Sequence, residues 1–167
     1  MALFFTQLLT GIQNGAVYAS LAIALVLIFR TTGILNFAQG EMALFSTYVV
    51  WKFTTTGMPV WIAILLAMAV SFIGGALIER IVIRPVERLS PLVIVIVTIG
   101  LFLALNSVTQ LSFGSGQEAL PSAYPQHTWR PGGVLISSNT LVLVAVLALE
   151  CGLLFLLLQR TKLGLAF

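Results

Sequence analysis

The sequence predicts an all-α integral membrane protein with about five transmembrane helices. Of its 167 residues, 59% are hydrophobic and only 8% are charged, whereas roughly 25% of the residues in a soluble globular domain are charged. The mean hydropathy is +1.09, the chain contains no Asp, and most of its charged residues lie between apolar runs. Because a helix needs about 20 mostly apolar residues to cross a bilayer, each long run is a candidate span.

Five apolar segments follow one another along a single transmembrane domain that covers residues 1–167. They span residues 8–29, 37–51, 60–78, 92–111 and 140–158. All six prolines lie between segments or at their starts, where a missing N–H does no harm. The second segment is short, so a partly re-entrant helix is an alternative there, although Trp51 and Trp61 favour the headgroup region and indicate a full crossing.

Basic residues predict the orientation of these segments. If all five segments span, six of the eight Lys and Arg residues lie on one side, and only Lys52 and Arg130 lie on the other. Positively charged loops favour the cytoplasm, so the N-terminus is expected outside and the C-terminus inside. The pI of 9.5 therefore reports orientation and does not indicate nucleic-acid binding. Residues 112–138 then form one long loop on the outer face, where a soluble partner could bind.

The sextet 36–41, Asn-Phe-Ala-Gln-Gly-Glu, begins the second segment near the expected cytoplasmic side. Polar groups at membrane depth cost free energy unless they face protein or water, so the sextet indicates a polar path. The alternative is a capping box, in which Asn36 caps the helix and Gln39 reaches back to it. The predicted pathway residues are Asn36, Gln39, Gly40, Glu41 and Thr47.

A helical wheel separates these candidates into two faces. Asn36, Gly40 and Thr47 share one face with small neighbours, whereas Glu41 lies on another face with Phe45 and Tyr48. The sextet therefore combines a small polar stripe with the Glu41 carboxylate, which lies on a different face of the helix.

Small residues at four-residue spacing predict close helix packing in the first and third segments. The predicted packing residues are Gly11, Gly15, Ala19, Ala67, Ser71 and Gly75. Such spacing is also common in membrane helices without specific partners, and that alternative stays open.

Two further polar features remain without an assigned role. Glu150 is an intramembrane carboxyl with no Lys or Arg inside any segment to pair with it. A polar cluster around Asn106 closes the fourth segment at its outer end, where water can solvate it.

No metal site, cofactor or catalytic residue is predicted, because the one histidine, His127, has neither Asp nor a second His beside it. No Gly-Lys-Ser/Thr loop for ATP is present either.

The sextet resembles the N-F-A-[HQ]-G-E signature of the branched-chain amino acid ABC transporter permeases, the LivH-type membrane subunits. Further stretches match the family's pattern in order. They are Gly15-Ala16-Val17-Tyr18-Ala19, Glu79-Arg80 with Arg84-Pro85, Thr98-Ile99-Gly100-Leu101, and Arg160-Thr161-Lys162-Leu163-Gly164. Family members continue well beyond Phe167 through a segment that engages the ATPase, so the domain is expected to be incomplete at its C-terminus.

The resemblance implies a non-enzymatic permease subunit of a bacterial inner-membrane importer that depends on a periplasmic binding protein. Its expected partners are a second permease subunit, two cytoplasmic ATP-binding subunits, the periplasmic substrate-binding protein and the lipid bilayer, and its expected substrates are branched-chain or related amino acids and amides. Two alternatives remain: a proton-coupled secondary carrier that uses Glu41 and Glu150, and a non-transporting membrane scaffold.

Overall fold

The structure, a computed structural model, describes residues 1–160 and is dominated by five helices. They are α1 (Ala2–Thr32), α2 (Gln39–Thr55), α3 (Val60–Ile78), α4 (Pro91–Phe113) and α5 (Ser138–Arg160). Two short antiparallel strands, β1 (Thr128–Trp129) and β2 (Ile136–Ser137), lie in the connection between α4 and α5. The all-α fold class predicted from composition is confirmed.

Four of these helices are long and apolar enough to cross a membrane. The qualifying spans are Ala2–Arg30, Val60–Ile83, Pro91–Phe113 and Ser138–Leu156, and the third helix reaches its full span through a π-helical turn at Glu79–Ile83. The second helix has 17 residues, or about 25 Å at 1.5 Å per residue, which is short of a hydrocarbon core of about 30 Å. The chain is therefore a multi-pass membrane protein in which α2 differs from the other helices.

The described residues group into two compact units. One unit joins Met1–Thr31 to the residues from Tyr124 onward, and the other comprises Thr32–Ala123.

In the first unit, the loop before α5 is held to α1. The hydroxyl of Thr6 accepts a hydrogen bond from the Leu135 N–H at 3.1 Å, and Thr140 Oγ1 donates to Gln13 Oε1 at 2.9 Å. At the small-residue face predicted on α1, a Cβ added at Gly11 or Gly15 would meet nothing within 4 Å among the described residues. Close packing at this face therefore stays a prediction.

In the second unit, α2 and α3 pack against each other in antiparallel directions along the small-residue stripe of α3. Ala67 is buried against Val49 and Val50, Ser71 shares a hydrogen bond of 2.6 Å with Ser46, and a Cβ added at Gly75 would touch Met42 at 3.6 Å.

Ala63 extends the stripe by one more turn, is fully buried, and was missed by the sequence prediction, which began the stripe at Ala67. The small side chains let the two helix backbones approach closely, and the apolar core of this unit lies between them.

Ala67→Leu is expected to lower the free energy of unfolding by about 1–3 kcal/mol, because Ala67 is buried against Val49 and Val50 and a larger side chain would displace this packing. Thermal unfolding in detergent measures the change. Ala69→Leu is the matched control, since Ala69 is exposed on the same helix. Equal unfolding temperatures for the two variants would contradict the packing described for this stripe.

Candidate functional site

The sextet forms a turn that leads into α2 and does not cap it as a capping box. The helix begins at Gln39 with Ala38 as its N-cap, and no side chain makes a capping hydrogen bond. Asn36 Oδ1 instead accepts a hydrogen bond from the Ala38 N–H at 3.0 Å, and the Gln39 N–H donates to the Asn36 carbonyl at 3.3 Å. The capping-box alternative is therefore wrong, because Asn36 stabilises the turn that leads into α2 and its side chain does not cap the helix.

The start of α2 lies beside the middle of α4. Thr98 Oγ1 donates to the Leu35 carbonyl oxygen at 3.5 Å, and Asn106 Nδ2 donates to Glu41 Oε1 at 3.2 Å. At 1.5 Å per residue, Thr98 lies about 10 Å and Asn106 about 22 Å along α4 from Pro91. The helix as a whole is about 33 Å long.

The two helices therefore run in parallel, with the start of α2 displaced along α4. At the far end, the ring of Tyr48 stacks on Phe113, with 5.3 Å between the centroids. The position of the sextet near the cytoplasmic side stays a prediction. Along α4, the first residues of α2 lie beside the middle of that helix, and the non-helical residues 33–38 precede them there.

Non-helical backbone at membrane depth is tolerated where protein covers it or where it lines a water-filled cavity. Helix starts placed at such depths are used by transporters to meet the polar groups of their substrates.

Glu41 belongs to a hydrogen-bonded series that extends along α4. Gln110 Nε2 donates to Asn106 Oδ1 at 2.6 Å, and the Asn106 amide in turn donates to Glu41 Oε1. The second carboxylate oxygen, Glu41 Oε2, is buried and has no hydrogen-bond partner among residues 1–160. Asn106 was missed as a site residue, although its spacing of four from Gln110 places both amides on one face of α4.

A polar cavity of about 230 Å³ opens beside this series at the end of α4. Its polar lining comes from Tyr48, Asn106, Thr109, Gln110 and Ser115. The Asn106 amide is thus shared between the cavity and the Glu41 carboxylate, and it connects the two.

Of the remaining pathway candidates, Asn36 lies in the turn before α2, and Gln39, Gly40 and Thr47 lie on α2 itself. Gly40 and Thr47 are exposed, whereas Asn36 and Gln39 are half-buried. A Cβ added at Gly40 would meet nothing within 4 Å. Thr47 lines a second cavity of about 320 Å³ together with Ser46 and Ser71. Glu41 therefore faces α4, whereas Gly40 and Thr47 of the small polar stripe lie on another face of α2. The helical wheel predicts the same separation.

Glu150 lies half-buried in α5, in the other unit. Within the described part of the chain, no group of three or more His, Cys, Asp and Glu residues could hold a metal ion. Of the C-terminal motif at 160–164, the residues from 161 onward fall outside the described range.

The family comparison agrees with a chain whose helices are long and apolar enough to cross a membrane. The sequence model of the family described as the permease component of the branched-chain amino acid transport system matches residues 7–167. The chain belongs to this family. The resemblance inferred from the sextet and the ordered motifs is confirmed.

Three permeases illustrate the similarity. The high-affinity branched-chain amino acid transport system permease protein LivH of Escherichia coli K12 is 32% identical over 130 residues, which cover 72% of this chain and 42% of LivH. LivH of Salmonella typhimurium LT2 gives the same values. The corresponding permease BraD of Pseudomonas aeruginosa PAO1 is 30% identical over 176 residues, covering 98% of this chain and 57% of BraD. The chain spans about half the length of the curated relatives it matches, and no solved structure matches it significantly.

Proposed function

We propose that this chain forms part of the translocation pathway in a permease subunit of an ATP-driven importer. The importer takes up branched-chain amino acids, or related amino acids and amides, across the bacterial inner membrane with the help of a periplasmic binding protein. The observation that carries the proposal is the start of α2 beside the middle of α4, a helix long and apolar enough to cross a membrane, with the half-buried Glu41 carboxylate bonded to Asn106 of α4. A polar helix start of this kind is costly in a lipid-facing wall and useful in a pathway.

Family membership supports the rest of the assembly. LivH and BraD are named as permease proteins of high-affinity branched-chain amino acid transport systems. By this relationship the chain would pair with a second permease subunit, and two cytoplasmic ATP-binding subunits would hydrolyse the ATP. The permease itself would carry out no chemical reaction, and the binding protein would deliver the substrate to the outer face.

Deletion of the full-length gene tests this function. The deletion strain should lose uptake of radiolabelled leucine, isoleucine, valine or short amides, and a plasmid copy should restore it. Restored uptake should stop when cellular ATP is depleted while the proton gradient is kept, because the energy comes from ATP hydrolysis. Unchanged uptake in the deletion strain would sink the proposal.

A proton-coupled carrier is the second candidate, favoured by the carboxyl group of Glu41 inside the second unit. It predicts the reverse dependence: uptake stops with a protonophore while ATP remains high. A scaffold without a transport task predicts that Glu41→Gln and Asn36→Ala change neither uptake nor growth on the substrates.

A further inference from the structure

We propose that Glu41 and Asn106 form a binding site for a primary ammonium group, which enters through the polar cavity at the end of α4. This inference deepens the proposed function and rests on it for the source of the amine, a zwitterionic amino acid in transit. The site itself is inferred from the second unit alone.

The first argument is the buried oxygen of Glu41. Oε1 accepts one hydrogen bond from the Asn106 amide, whereas Oε2 is buried without a partner among the residues that the structure describes. A buried carboxylate oxygen is costly unless a donor reaches it. Asn106 therefore holds the Glu41 carboxylate through Oε1, while Oε2 can still accept a hydrogen bond.

The second argument is the absence of a suitable cation on the surrounding helices. The helices α2, α3 and α4 carry one basic residue among them, Lys52. Lys52 lies eleven positions beyond Glu41, about 16 Å along α2. Intramembrane carboxylates normally pair with a charge of opposite sign. A cation that pairs with Glu41 must therefore come from outside these three helices. The other basic residues of the unit, Arg80, Arg84 and Arg88, precede Pro91, which lies about 22 Å along α4 from Asn106.

The third argument concerns the direction of the hydrogen bonds. Gln110 donates to the oxygen of the Asn106 amide, so this amide presents its nitrogen to Glu41. The cavity beside it adds the hydroxyl oxygens of Thr109 and Ser115 to the amide groups of its wall. An ammonium group has three donors and no acceptor, which complements a carboxylate and hydroxyl oxygens.

Cavity size restricts the ligand further. The volume of about 230 Å³ lies below the range of roughly 300–1,000 Å³ that is typical of sites for drug-sized ligands. Leu44 and the ring of Tyr48 form part of the wall, so an ammonium group on a short aliphatic chain fits the lining.

Infrared difference spectroscopy of the full-length protein in membrane vesicles tests the site. Vesicles are perfused in turn with isobutylammonium chloride, with isobutanol, which has the same carbon skeleton, and with sodium chloride at equal ionic strength. Isobutylammonium is expected to change the carboxylate stretching bands, and the change should vanish in Glu41→Gln. The matched control Glu150→Gln should retain the change, because Glu150 lies in the other unit.

Three results would overturn the site: bands that survive in Glu41→Gln, an equal response to isobutanol, or an equal response to sodium. The readout does not require transport, so the two proposals fail separately. Unchanged uptake after gene deletion counts against the importer, whereas an absent Glu41 signal counts against the ammonium site.

Discussion

Asn106→Leu is expected to lower the rate of substrate uptake about ten-fold or more in the assembled transporter. The substitution removes the amide that donates to Glu41 Oε1 at 3.2 Å. Because Oε2 already has no partner, neither carboxylate oxygen then has a donor among the described residues. A buried acceptor that loses its partner costs about 1–3 kcal/mol, and about 1.4 kcal/mol corresponds to a factor of ten. Initial rates of uptake, divided by the amount of protein in the membrane, measure the effect.

Ser107→Ala provides the control for this prediction. Ser107 is the exposed neighbour of Asn106, and its hydroxyl donates only to the Leu103 carbonyl of its own helix at 2.9 Å. Its uptake rate should stay close to that of the wild type. The double variant Glu41→Gln with Asn106→Leu should lose little more than either single variant, because both remove the same interaction. Wild-type uptake by Asn106→Leu, or fully additive losses, would show that this pair has no joint role in transport.

Gly40→Phe is expected to abolish uptake without unfolding the protein. A Cβ added at this position meets nothing within 4 Å among the described residues, so the side chain leaves α2 without a clash and the packing of the second unit is expected to stay intact. If the face of α2 that carries Gly40 lines the pathway, the added ring fills space that the substrate needs. The unfolding temperature in detergent should remain within a few degrees of the wild-type value while uptake is lost.

Gly152→Phe is the matched control for Gly40→Phe. Gly152 is also exposed and also has nothing within 4 Å of an added Cβ, but it lies in α5, which is rich in Leu and Val. Its uptake should be unchanged. Equal uptake in both variants would place Gly40 outside the pathway.

Helix positions were predictable because hydrophobic runs and prolines carry the signal locally. The third helix was expected at 60–78 and is observed at Val60–Ile78, where Pro59 precedes the first residue of an uninterrupted apolar run. The first helix was expected to begin at residue 8 but begins at Ala2, because Thr6 and Gln7 are tolerated in its first turns. In the structure, the Thr6 hydroxyl donates back to the Ala2 carbonyl at 3.0 Å.

The position of the sextet beside the middle of α4 could not be predicted from the same signals. The sequence analysis places the start of the second hydrophobic run at the membrane surface. The six non-helical residues 33–38 can, however, extend over as much as about 20 Å before the helix begins. Only the contacts of Leu35 with Thr98 and of Glu41 with Asn106 reveal how far α2 is displaced along α4. These contacts join positions 63 and 65 residues apart in the sequence, and no local pattern encodes that separation.

The central claim is that the start of α2 lines a water-accessible path at membrane depth, and thiol accessibility tests it most directly. A cysteine is placed by Gly40→Cys in a cysteine-free background of the full-length protein, which includes Cys151→Ser for the one cysteine of these 167 residues. A membrane-impermeant methanethiosulfonate is then applied to either side of vesicles that hold the full-length protein with its partners. The Gly40→Cys variant should react, and a transported substrate should slow the reaction. Reaction no faster than that of Gly152→Cys in the same background would contradict the claim.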